Sequence, residues 1–274
     1  MKSQSHSERP HRHHYDAEML SVEDARERIL SYFNVLTSEK KPLVEALGQV
    51  LAEDIVATFD IPPLTNSAMD GYALISQDTF GASKENPVEL QVTGVIPAGG
   101  LPDHAVESGT AIRIMTGAPL PPGADSVIPF EDTDELQRRK SGLSDHSISI
   151  HMESQPYENI RQAGEDVRSG NRVLSKGDLL RAGEIGLIAS LGHSEARVIK
   201  RPVVAIVSTG DELIEPGEDK EPGKIYNSNA FSIAAMVSRY GGIPKIMGIA
   251  RDTVESLEAV LHQAMDSDLV VTSA

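Results

Sequence analysis

The chain has 274 residues, 39% of them hydrophobic, enough for about two domains of ordinary size with buried cores. It contains no cysteine, which excludes a disulfide framework and any thiolate-based metal, redox or nucleophile chemistry. The formal charge of -16, with no basic block, argues against nucleic acid as a partner, although a small anion needs only local N–H groups, a few Arg or Lys side chains or a bridging cation.

Residues 1–17 are polar and His-rich (His6, His11, His13, His14) and read as a solvated, disordered tail rather than a metal tract or a secretory signal. No later apolar run approaches the roughly 18 residues of a membrane span, so no membrane is expected and a reducing cytoplasm is the natural setting. Ser21, followed by Glu23 and Asp24 and by Val22, Ala25, Ile29 and Phe33, predicts an N-capped amphipathic helix. Residues 42–47 (PLVEAL) predict a second helix with proline in its first turn. Over 54–157, short β-like runs (VELQVTGV, AIRIM, SVIPFEDT, SISIHM) alternate with Gly and Pro clusters and predict a β-rich domain, with the polar stretch 137–147 as a hairpin tip. Residues 158–200 offer a loop, a strand, a short helix (RAGEIGLIASLG) and a further strand (EARVIK).

From Pro202 strands and helices alternate. PVVAIVS, IPKIMGIARD and DLVVTSA read as strands, separated by helices starting near Asn227 and after Asp252, which with Glu255 is expected to cap the second. This βαβαβ order predicts a mainly parallel sheet in a three-layer α/β domain. The expected organisation is a tail (1–17), a helical and extended first domain (18–53 plus 157–200), an inserted β-rich domain (54–156) and an α/β domain (201–274). Since ligands in open α/β sheets bind beyond the carboxyl ends of strands, part of the site is expected in a loop beyond Ala274.

Several short motifs carry candidate chemistry. Asp70 in NSAMDGYA (66–73) is most simply part of a β-turn with Gly71, or else a functional carboxylate. RIMTGAP (113–119) puts Thr116 at a strand end, where N–H groups can face an anion. Arg161 near Glu165 and Asp166 reads as a surface ion pair or as site residues. Ser208, Thr209 and Gly210 directly follow a buried strand and suit a phosphate, while Asp211 and Glu212 suit a hydrated Mg²⁺. Asn227 and Ser228 open a helix whose N-terminus suits an anion or simply need a cap. The residues alone reach as far as a Mg²⁺-assisted binder or transferase of a phosphorylated compound.

NSAMDGYA, RIMTGAP, NIRQAGEDV, STGDEL, IYNSN and GIARD stand in the order and approximate spacing of the molybdopterin molybdenumtransferase family, which includes the E domain of gephyrin, and the chain resembles that family over about 18–274. The resemblance implies insertion of molybdate into adenylylated molybdopterin with release of AMP, Mg²⁺ as the cofactor, and a molybdopterin adenylyltransferase as upstream partner. It also implies an elongated homodimer in which the β domain of one subunit faces the α/β domain of the other. By resemblance Asp70, Thr116, Asp166, Glu212 and Asp252 are catalytic positions. Arg161, Ser208, Thr209, Gly210, Asn227 and Ser228 bind substrate, and Asp211 and Glu212 lie near the metal. The family's Gly-rich loop and its C-terminal β-barrel domain are not in this chain, which is therefore expected to be inactive alone. A molybdopterin-binding scaffold without turnover, and a Mg²⁺-dependent phosphohydrolase, are the competing readings.

Overall fold

The computed structural model describes residues 20–142 and 146–273; the His-rich tail, and with it the expected disorder of 1–17, lies outside them. Two compact units are present, one of residues 40–198 and one combining residues up to 39 with those from 199 onward.

The chain opens with α1 (Val22–Leu30), where the Ser21 hydroxyl accepts from the Asp24 N–H at 3.0 Å, as the cap motif requires. The helix buries none of its residues, so its apolar stripe is not part of a core.

Within unit 40–198, five strands build one sheet: β1 (Gly71–Leu74), β2 (Val88–Ile96), β3 (Thr110–Ile114), β4 (Ser126–Pro129) and β5 (Ser147–Ile150), in the order β4-β1-β3-β2-β5. Only β2 and β3 run parallel. Alternating side chains feed two cores, Tyr72, Leu74, Ile128 and Ile148 on one face and Ala73, Ile112, Ile114 and Val127 on the other. A third core joins Leu43, Leu51 and Ile55 to Leu174, Leu180, Ile188 and Val198, so chain on both sides of the sheet contributes to it.

Two expectations for this unit fail. Residues 43–48 form turns instead of a helix: Pro42 ends a strand (Ser38–Pro42), and the Gly48 N–H already bonds to the Leu180 carbonyl, leaving room for a single turn. That turn still buries Leu43 and Ala46. The first part of the expected hairpin tip at 137–147 belongs to α2 (Glu135–Ser141), ended by Gly142 in the left-handed region at φ 65°, with 143–145 outside the described residues. The expected short helix is α3 (Ala182–Ser190).

The other unit contains β6 (Val203–Thr209), α4 (Ser228–Arg239), β7 (Ile243–Ala250), α5 (Val254–Ala264) and β8 (Leu269–Ser273). The strands are all parallel, in the order β7-β6-β8. Val204 and Ile206 face Ala230, Ile233 and Val237 of α4, whereas Ala205 and Val207 face Leu257, Val260 and Ala264 of α5. Helices thus cover both faces of a parallel sheet, the three-layer arrangement expected. The cap of α5 is Thr253, whose hydroxyl accepts from the Ser256 N–H at 3.2 Å, and not Asp252. Because β7 lies on one side of β6 and β8 on the other, the strand order reverses at β6, and a crevice opens at the carboxyl end of that strand.

Candidate functional site

Asp70 and Gly71 form no turn. Gly71 begins β1, which lies between β4 and β3, and a Cβ there would lie 2.0 Å from the carbonyl oxygen of Ile128 on β4, so only glycine lets the two strands close. The preceding loop is pinned by buried Ser67, whose hydroxyl accepts from the Met69 N–H at 3.2 Å. β1 pairs with β3 so that Gly71 lies opposite Ile114, and the loops at this sheet end meet. There Asp70 Oδ1 accepts from both the N–H and the hydroxyl of Thr116, each at 2.7 Å. These two bonds, backbone first, hold the Asp70 carboxyl below the ordinary carboxylate range, with the positive charge of Arg113 adding a smaller push. The pair is solvent-exposed, and its carboxylate is ionised at neutral pH.

Arg161 and Asp166 sit on the adjoining loop. Ile160–Arg161 pairs antiparallel with Asn66–Ser67, and the Asp166 N–H donates to the Ile61 carbonyl at 3.0 Å. Neither side chain bonds to Asp70 or Thr116. The surface ion pair is absent as well: Glu165 accepts from the Gln162 N–H at 2.9 Å, and Arg161 has no acidic partner among the described residues.

The second group of residues surrounds the carboxyl end of β6. A cleft of about 230 Å³ is lined by Thr209, Glu212, Tyr226, Asn227, Ser228 and Ser273, among others. Gly210 has φ 146°, and a Cβ on it would meet the Glu212 carboxylate at 2.5 Å, so the acid folds back over a residue that offers no side chain. The Glu212 carboxylate makes no hydrogen bond or ion pair among the described residues. Asp211 faces away from this cleft; its Oδ1 is 3.5 Å from the Asp252 N–H, and its carbonyl accepts from Lys224 Nζ at 2.6 Å and Arg251 Nη1 at 3.3 Å.

Ser208, expected to touch substrate, is 1% exposed and spends its hydroxyl on Asn227 Oδ1 at 2.9 Å, which in turn caps α4 through the Ala230 N–H. It therefore supports the cleft from behind, while Asn227 and Ser228 line it. Lys224, whose Nζ donates to the Asp211 carbonyl, escaped the motif analysis because its partner is a loop carbonyl, while Arg251 in GIARD and Asn229 in IYNSN were given no role of their own; Asn229 donates to the Ser273 hydroxyl at 3.1 Å. Arg113 and Glu135 were missed too, although a lone charge inside the apolar run AIRIM was a signal.

Fold and cleft define a multidomain α/β protein with a switch-point crevice of the kind that receives phosphorylated small molecules. Comparison with known proteins makes this specific. Residues 20–192 match the family described as MoeA N-terminal region (domain I and II), and residues 205–274 match the one described as probable molybdopterin binding domain. The chain is 39% identical over 255 residues to a molybdopterin molybdenumtransferase of Staphylococcus epidermidis and 40% identical over 256 residues to molybdopterin molybdenumtransferase 2 of Mycobacterium tuberculosis. Each alignment covers 93% of this chain, which spans 59% and 61% of the length of those relatives. A crystal structure of the molybdopterin biosynthesis MoeA protein from Pyrococcus horikoshii OT3 superposes with a TM-score of 0.78 at 36% identity, over 91% of this chain and 65% of that one. The chain belongs to the MoeA family.

Proposed function

We propose that this chain carries substrate-binding machinery of a molybdopterin molybdenumtransferase, which inserts molybdate into adenylylated molybdopterin at the dithiolene and releases AMP. The observation that carries the reading is the cleft at the carboxyl end of β6, where an unpartnered Glu212 carboxylate lies beside the N-terminus of α4. Family membership supports the substrate class. The free N–H groups of α4 and the hydroxyls of Thr209 and Ser228 suit a phosphate oxygen, and Asp252, Asp166 and Arg161 are assigned to the substrate's surroundings by the family pattern.

Magnesium fits the donor set. Glu212, whose unpartnered carboxylate lines the cleft, would hold the ion, with water and substrate phosphate oxygens filling the rest of its shell; Asp211 does not line this cleft, and its Oδ1 is turned to the Asp252 N–H. When bound it neutralises and polarises the phosphoanhydride. The chain's own residues do the rest: Glu212 is held over Gly210 facing the cleft, and Asp70, ionised and fixed on Thr116, offers a second oriented carboxylate.

The remaining assignments follow the family resemblance: a homodimer in which the Asp70 and Glu212 sets act on one substrate, an upstream molybdopterin adenylyltransferase, and a cytoplasmic setting. Among the described residues no helix is long and apolar enough to cross a membrane. The test is AMP release from adenylylated molybdopterin by the full-length protein, with and without molybdate and Mg²⁺. Release that depends on both is expected. Tight molybdopterin binding without release would instead make the protein a scaffold, and molybdate-indifferent hydrolysis of many nucleotides would make it a phosphohydrolase.

A further inference from the structure

Arg113 is the one charged residue of β3, and its side chain is 11% exposed. It stands opposite Tyr72 in the β1–β3 ladder, and its guanidinium lies 5.4 Å from the Tyr72 ring centre and 5.6 Å from that of Phe130. Nε is 2.8 Å from Oε2 of Glu135, the first residue of α2, and Nη2 donates to Oε1 of the same carboxylate at 3.4 Å. The Glu135 side chain is 6% exposed and has a second cation, Arg139, at 3.1 Å.

Core stability does not account for such a pair, because replacing a buried ion pair by apolar side chains of similar volume is often neutral or stabilising. What the guanidinium does that an apolar side chain could not is join two strand ends. Nη1 donates to the carbonyl of Ile114 at 2.9 Å and to that of Gly71 at 3.2 Å. Gly71 directly follows Asp70, and Ile114 precedes Thr116 by two residues. One rigid fork, fixed by Glu135 and two rings, therefore sets the separation of the chain segments whose side chains meet at 2.7 Å.

We propose that Arg113, anchored by Glu135, is a positioning residue that locks the Asp70 carboxylate onto Thr116. Its importance to turnover rests on the function proposed above, but its effect on the pair can be read without turnover. In ¹H–¹⁵N spectra of the chain, the Thr116 amide proton, which is bonded to a carboxylate at 2.7 Å, is expected downfield and is expected to shift as Asp70 takes up a proton.

Arg113→Met is expected to move that resonance upfield and to raise its acid midpoint, with the amides of β6 unchanged; Glu135→Gln does the same to a smaller extent. Arg113→Lys, which keeps the charge without the fork, is expected to recover part of the midpoint but not the resonance position. A folded Arg113→Met or Glu135→Gln variant with the wild-type Thr116 signal and midpoint overturns the proposal. Should Arg113→Met fail to fold, Glu135→Gln decides by the same signal. A displaced Thr116 signal combined with wild-type AMP release supports the positioning role while removing Asp70 from the reaction.

Discussion

Gly71→Ala tests how the sheet delivers Asp70 to Thr116. The new Cβ would lie 2.0 Å from the Ile128 carbonyl oxygen and 2.8 Å from its carbon, both backbone atoms that no rotamer change can move. An ordinary carbon–oxygen contact is about 3.3 Å, so β1 and β4 must separate by roughly 1.3 Å at this point. Ladder bonds of about 2.9 Å would then exceed hydrogen-bond range. Losing about two of them, with overpacking at a buried position, costs about 3 to 5 kcal/mol. With a urea dependence of about 1 to 3 kcal/mol per molar, the midpoint for this unit falls by about 1 M or more. Circular dichroism during urea unfolding reads this directly, and the Thr116 amide reports whether Asp70 has left it. A midpoint within about 0.3 M of wild type would refute the claim that the glycine is there for close approach.

Thr116→Val removes one of the two donors to Asp70 and so raises its pKa toward the ordinary value. Because the folded-state pKa is depressed, the contribution of this carboxylate is present above the unfolded value and lost as pH falls through the folded one. Wild type and variant should therefore differ in stability at pH 6 and converge as the pH falls from about 4 through the depressed folded-state pKa, as acid titration followed by circular dichroism will show. Ser208→Ala strips the buried Asn227 oxygen of its hydroxyl donor and weakens the α4 cap, a loss of about 1 to 3 kcal/mol readable by thermal unfolding. Glu212→Gln should leave the melting temperature unchanged, since the carboxylate has no partner to lose, while weakening Mg²⁺ binding in the presence of substrate; an unchanged Mg²⁺ titration would remove it from the metal site.

The parallel α/β unit was legible because its signals are local: β6 is a continuous apolar run, and α4 and α5 keep helical spacing. Errors arose where tertiary partners decide. Residues 42–47 have a helix's opening but only one turn before Gly48 is captured by Leu180. The polar, turn-rich stretch 137–147 reads as a hairpin tip, but residues 137–141 continue α2, which is held by ion pairs: Arg138 binds Asp134, and Glu135, just before that stretch, binds Arg113. Thr253 displaced Asp252 as a cap by a single residue, within the usual uncertainty of helix ends.

The candidate site divides the same way. Motif order pointed to Asp70, Thr116 and Glu212, and the 2.7 Å bonds join the first two. Ser208 looked like a ligand because hydroxyls after a strand often are, but its burial against Asn227 follows from a loop 19 residues away. Arg113 and Glu135, 22 residues apart, meet only because β3 and α2 are folded together.

The proposed homodimer, in which Asp70 and Glu212 both serve one substrate, is tested by molybdate-stimulated AMP release from full-length Asp70→Ala, full-length Glu212→Ala, and the two variants unfolded and reassociated together. Each variant alone should be inactive, and the mixture should regain roughly a quarter of the wild-type rate, as statistical pairing of two chains with reciprocal sites requires. Wild-type release by either single variant, or a mixture as inactive as its parts, would contradict it.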